Sequence, residues 1–197
     1  GYHYPPRQYF NDNDISLNKN EKILNIVKQK PEPEISFINN SLFEQSLNSK
    51  KPNYFIDYLA SLWDYETANY LAHRYNIGTS KHWQGATVFW QMDKSKKIRT
   101  GKIMLYNPNT GKRVKEPYDH INWAHTLLKL DNFNLEQCLF GEHLLIKETT
   151  KPVAIVESEK TAIVASVLLP DFIWLACGGN SLSKEKTLSL KNRDVIL

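Results

Sequence analysis

The 197-residue chain is 41% apolar and 23% charged, which excludes a disordered tail or a fibre and leaves one large domain or two small ones. Its longest apolar run is a handful of residues against the ~20 of a membrane helix. Two cysteines, Cys138 and Cys177, are too few for a disulfide framework or a cysteine-rich zinc site within these residues, and the net charge of +4 informs less than its distribution.

Residues 1–40 are rich in Asn, Lys and Pro and read as an extended arm and linker. Tyr2, Tyr4, Tyr9 and Phe10 flank Pro5-Pro6, and the alternate prolines of Lys28-Gln29-Lys30-Pro31-Glu32-Pro33-Glu34 stop helices. Residues 41–84 are predicted to be a helical subdomain. Leu42, Phe43 and Leu47 suit a first helix, and Tyr54, Phe55, Tyr58, Leu59 and Leu62 a second. Asp64 caps a third carrying Ala68, Leu71, Ala72 and Tyr75, and Gly78 closes it.

Residues 85–150 are predicted to hold a basic antiparallel meander followed by short helices. Thr87-Val88-Phe89-Trp90-Gln91-Met92 and residues 98–106 are β-formers, with a loop at residues 93–97 and a turn at Asn107-Pro108-Asn109-Thr110-Gly111. Helices are expected at residues 123–129 and 135–144. From Asp93 to Pro117 the chain carries Lys94, Lys96, Lys97, Arg99, Lys102, Lys112, Arg113 and Lys115 against Asp93 and Glu116, so this window is +6 and the remainder −2. Basic residues with Trp90 and Tyr106 nearby are the footprint of a nucleic-acid backbone groove; solvated hairpins also carry lysines.

Residues 151–197 carry the firmest structural signal. Val153-Ala154-Ile155-Val156 reads as a strand buried on both faces, and Ser158 caps a helix whose inner side is expected to hold Ile163, Val164, Val167 and Leu168. A second strand over 172–177, a helix over 182–190 and a third strand over 194–197 repeat at βαβ spacing, which predicts a parallel sheet. The fold class is therefore α/β at the C-terminal end and α+β overall.

Glu157 lies at the carboxyl end of the first parallel strand, where open sheets place their ligands, and either acts chemically or merely accepts amide hydrogen bonds. Glu159 is assigned to the helix dipole, with Lys160 beside it in the first turn. Gly178 and Gly179 let backbone amides approach an anion, or form a plain tight turn. Neither a G-x-G-x-x-G nor a G-x-x-x-x-G-K-[ST] fingerprint occurs, which argues against a dinucleotide oxidoreductase and an ordinary NTPase. The six histidines have no ligand spacing, and Cys177 reads as a small core residue.

Leu139-Phe140-Gly141-Glu142-His143-Leu144, followed by Val153 to Val156 and Glu157-Ser158-Glu159-Lys160-Thr161-Ala162, resembles the Toprim domain of bacterial and phage primases. In that family the apolar strand ends in E-G-x-x-D; here Ser158 replaces the glycine and Thr161 the aspartate. The whole chain is similar to primase-related Toprim-like proteins of bacterial mobile elements.

The resemblance implies a metal-dependent phosphoryl or nucleotidyl transfer on DNA in plasmid or mobile-element replication. Glu157 would be the catalytic and metal-binding carboxylate, with Mg²⁺ held in the full-length protein by an acidic pair expected beyond Leu197. Lys94, Lys96, Lys97, Arg99, Lys102, Lys112, Arg113, Lys115, Lys160, Gly178 and Gly179 would contact the nucleic acid, single-stranded DNA or a primer–template. Replication or mobilisation proteins are the other expected partners, with no membrane and a cytoplasmic location. The chain opens on Gly1 and stops inside the apolar run Asp194-Val195-Ile196-Leu197, so it is expected to be an excised piece, inactive alone. A degenerate nucleic-acid-binding module and a Toprim nuclease are the alternatives.

Overall fold

Three helices begin the described chain, each started by a short polar side chain that satisfies an orphan amide. Asn39 caps α1 (Asn40–Leu47), Asn53 caps α2 (Tyr54–Leu62), and Asp64 caps α3 (Tyr65–Arg74) by accepting the Thr67 N–H at 2.6 Å. The structure, a computed structural model, describes residues 34–179 and 182–197. The aromatic arm and nearly all of the proline-rich linker lie outside the described residues, as do Asn180 and Ser181.

Asn53 also ties the helices to the meander. Its buried amide donates to the Gly78 carbonyl at 3.0 Å and accepts the Thr87 hydroxyl at 2.6 Å. Gly78 does not close α3 as expected. It sits in β1 (Ile77–Thr79), where a Cβ would come within 2.7 Å of the Trp90 Nε1, and Asn76 takes the left-handed turn at φ 52°. The meander continues through β2 (Thr87–Met92), β3 (Ile98–Met104) and β4 (Ile121–Trp123), all antiparallel in the order β1-β2-β3-β4.

Strand β2 is buried on both faces because its alternating side chains serve two cores. Phe89 joins Phe55, Tyr75, Tyr106, Phe140, Ile163 and Leu175 in a core that runs from the helices to the parallel sheet. Val88 and Trp90 face the other way and pack with Ile38, Ile98, Ile103 and Ala124.

The expected helix at residues 123–129 is shorter, α4 (Ala124–Leu127), because Trp123 pairs with Lys102 as the end of β4. The expected helix at 135–144 is replaced by a 3₁₀ turn, Glu142–Ile146. Phe140 is drawn into a bridge with Ala176, and Gly141 turns the chain at φ 84°.

The parallel sheet is as anticipated. Strands β5 (Val153–Val156), β6 (Ile173–Ala176) and β7 (Val195–Ile196) stand in the order β6-β5-β7, with α5 (Glu159–Leu168) crossing from β5 to β6. The second crossover is a short helix α6 (Lys184–Thr187) and a 3₁₀ turn (Leu188–Leu190). The inner face of α5 holds Ile163, Val164 and Val167 as expected, together with buried Glu159 and Ala162, whereas Leu168 is 65% exposed. A stripe at i, i+3 and i+4 runs through the first two turns, and Leu168 falls off it.

The protein is therefore α+β, with an antiparallel and a parallel sheet. Ile35–Leu197 pack as one unit, so the changes of element type near residues 84 and 150 fall inside a shared core. No helix among the described residues is long and apolar enough to cross a membrane.

Candidate functional site

The carboxyl end of β5 delivers two glutamates to opposite environments. Glu157 is exposed, and its carboxylate has no hydrogen-bond or ion-pair partner among the described residues. Ser158 then starts α5 by accepting the Thr161 N–H at 3.1 Å, and the two hydroxyls lie 2.8 Å apart. Ser158 and Thr161 thus form one cap. Glu159 turns inward and is 2% exposed.

Lys102, projecting from β3, meets Glu159 with its Nζ 3.3 Å from each carboxylate oxygen. Only Oε2 is aligned as a hydrogen-bond acceptor; the Oε1 contact is an ion pair without that alignment. The same Nζ donates to the Gly178 carbonyl at 2.9 Å. Gly178 sits at φ 76°, and a Cβ there would lie 3.1 Å from Glu159 Oε1, so the close approach requires glycine. Its N–H donates to the Glu157 carbonyl at 3.0 Å and is not open to an anion; around Gly179 there is open space.

Two further polar side chains were not singled out from sequence. Gln91 is 1% exposed and neither amide atom has a hydrogen-bond partner among the described residues, while Lys186 is buried and donates to the Cys177 carbonyl at 2.8 Å. The Tyr106 hydroxyl is held well above its usual pKa by burial and, secondarily, by the Glu159 charge.

Strand β3, the residues from Glu157 to Thr161 and the turn at Gly178 and Gly179 border a cleft of about 590 Å³, which neither Gln91 nor Lys186 lines. Five cations line it: Lys102, Lys112, Arg113, Lys115 and Lys160, opposed by Glu157 and Glu159. Lys112, Arg113 and Lys115 are exposed and have no ion-pair partner among the described residues. Lys160 is already engaged. Its Nζ donates to the Gly111 carbonyl at 2.8 Å and lies 5.6 Å from the Tyr58 ring, and burial lowers its pKa.

The other half of the basic window is elsewhere. Arg99 binds Asp93 at 2.7 Å and Glu136 at 3.1 Å, and sits over the Phe37 ring. Lys97 lies over the same ring, Lys96 makes the hairpin turn at φ 60°, and Lys94 donates to the Ser189 carbonyl at 3.2 Å. Lys102 lines the cleft and Arg99 does not; Arg99 sits where the pairing of β3 with β2 slips register, between Thr100 opposite Gln91 and Ile98 opposite Met92.

Magnesium takes several oxygen ligands, largely carboxylates and waters. The cleft offers one free carboxylate and one paired with Lys102, among five cations, and no group of three or more His, Cys, Asp or Glu side chains among the described residues is placed to hold a metal. On their own these residues do not fit a magnesium site, and five cations against two carboxylates suit an anion better. Asp194 does not add to it, since it precedes β7 and its carbonyl binds the Val153 N–H at 2.8 Å, at the opposite end of the sheet.

The family described as a domain of unknown function (DUF6371) matches residues 53–197, from the cap of α2 through both sheets. The chain belongs to that family. No curated protein and no solved structure matches it. The matched span includes every residue of the cleft, so the site is built wholly within the family domain.

Proposed function

We propose that this protein binds nucleic acid, with the phosphate backbone running along the cleft beside β5 and α5. The observation that carries the reading is the meeting of Lys102, Lys112, Arg113, Lys115 and Lys160 from two separate parts of the chain at the carboxyl end of a parallel sheet. Three of these cations are uncompensated, and phosphate neutralisation by such side chains is the main source of sequence-independent affinity. DNA handled in mobile-element or plasmid replication is the proposed setting, in the cytoplasm, as a Toprim-like and primase-related module.

Glu157 favours a second reading, in which a longer protein performs phosphoryl transfer at this cleft. Its free carboxylate stands at the carboxyl end of β5, where an acidic pair from outside this chain would join it. On this chain's own residues the binding reading is the better supported, because cations outnumber carboxylates.

Titrating a fluorescein-labelled oligothymidylate with the protein at several salt concentrations tests the proposal. The expected result is a linear fall of log affinity with log salt, with a slope of about −0.7 per neutralised phosphate. Absence of salt-dependent binding would remove it.

A further inference from the structure

We infer that Tyr118, backed by His120 and Trp83, is a stacking platform for an unpaired nucleobase, so that the ligand of the cleft is a single strand. The inference rests on the nucleic-acid reading above and specifies its substrate class.

One excursion of the chain, residues 105–120 between β3 and β4, carries both the cations and the aromatics. It begins at the cleft wall with Tyr106, passes through Lys112, Arg113 and Lys115, and returns through Tyr118 and His120. Its two halves are stitched together across Leu105. The Val114 N–H donates to the Leu105 carbonyl at 3.0 Å, the Leu105 N–H to the His120 carbonyl at 3.2 Å, and the His120 N–H to the Val114 carbonyl at 3.3 Å. Lys115 and Tyr118 are three residues apart, at most about 11 Å along the chain.

The ring geometry is that of a supported platform. Tyr118 stacks on His120 with centroids 4.5 Å apart and planes 18° apart. His120 packs edge-on against Trp83 at 5.0 Å, and Trp83 against His82 at 4.2 Å. His120 is buried, whereas Tyr118 is 56% exposed, so the tyrosine keeps one supported side and an open remainder.

Tyr65 and Tyr70 on α3 are as exposed, yet no other ring among the described residues stacks against either of them, which sets Tyr118 apart from an ordinary surface tyrosine. A base stacked on such a ring contributes affinity whatever its identity, because every base has a π-face. A paired base has both faces occupied in its own helix and cannot use it. Glu116 and Asp119 flank the tyrosine and repel phosphate from the ring itself, so the platform takes the neutral base while the backbone lies with the cations.

Three labelled probes test this by fluorescence anisotropy: an oligothymidylate of about twenty nucleotides, a strand of equal length made of abasic sites, and a duplex. The wild-type protein is expected to bind oligothymidylate about tenfold more tightly than the abasic strand, within the range of one stacked base. Tyr118→Ala is expected to abolish that difference while leaving abasic-strand and duplex affinity unchanged, and Tyr118→Phe to preserve it. Equal binding of the two strands by wild type, or an intact difference in Tyr118→Ala, would overturn the inference. If the abasic strand still bound in a salt-dependent way, the cleft reading would stand alone; if no strand bound, both would fall.

Discussion

Replacing Glu159 with glutamine separates the structure from the sequence-level assignment of this residue to the helix dipole. A dipole role is worth under about 1 kcal/mol at an exposed helix start. In the structure Glu159 is 2% exposed and Lys102, 13% exposed, faces it at 3.3 Å. Removing the carboxylate charge leaves a mostly buried ammonium without its counter-ion. Breaking such a pair costs ~3–5 kcal/mol, and Lys102 retains the Gly178 carbonyl, so the lower end, about 3 kcal/mol, is expected.

Urea denaturation monitored by circular dichroism measures this free energy directly, and a separate thermal melt should show the melting temperature falling by roughly 6–12 °C in a protein of this size. Glu157→Gln is the control, with a change within about 0.5 kcal/mol because the side chain is exposed. A Lys102→Met, Glu159→Gln cycle should return a coupling of about 1–3 kcal/mol. A loss under about 1 kcal/mol for Glu159→Gln, or equal losses for the two glutamates, would refute the buried pair.

Gly178→Ala should lower the melting temperature, since φ of 76° costs a non-glycine residue ~1–2 kcal/mol and the new Cβ would press on Glu159 at 3.1 Å; a thermal melt equal to wild type would contradict the close approach. His143 donates its Nε2–H to the Arg74 carbonyl at 3.0 Å, and burial lowers its pKa below the ordinary 6.5. The unfolded chain then binds the proton first, so the stability His143 contributes above about pH 6.5 is lost as pH falls below it. His125, shifted the same way by burial, adds to the trend, so the fall in melting temperature between about pH 7.5 and 5.5 should shrink, not vanish, in His143→Gln.

The parallel sheet was legible in the sequence because β5 and β6 are short continuous apolar runs set a helix apart, a pattern that few other structures produce. Strand β2 was legible because Thr87 to Met92 is a run of β-formers that ends at the loop over residues 93–97. The start of the helix expected over 123–129 was not: α4 begins at Ala124, because pairing with Lys102 on β3 makes Trp123 the end of β4. The basic window was visible as composition but not as two groups, since register and the partners Asp93 and Glu136 decide which cations remain free.

Glu157 was placed where strand geometry puts it. Glu159 stands in the first turn of α5 as read, but its burial against Lys102 was missed because the dipole rule considers only distance from the helix end. Its spacing of three and four from Ala162 and Ile163 was the available sign that it faces inward. Gln91 carried no sequence signal beyond its alternation with Phe89, and Tyr118 lay in a loop whose support by His120 and Trp83 is entirely tertiary.

The salt dependence of oligothymidylate binding in two triple variants tests the cationic cleft most directly. Charge reversal at Lys112, Arg113 and Lys115 should weaken binding and reduce the log–log slope by about 2, from three lost contacts at ~0.7 each. Charge reversal at Lys94, Lys96 and Lys97 removes as much positive charge from the far end of the hairpin and should leave the slope close to wild type. Equal loss of slope in both variants would reduce the interaction to net charge, and loss only in the second would place the nucleic acid on the hairpin tip and contradict the account.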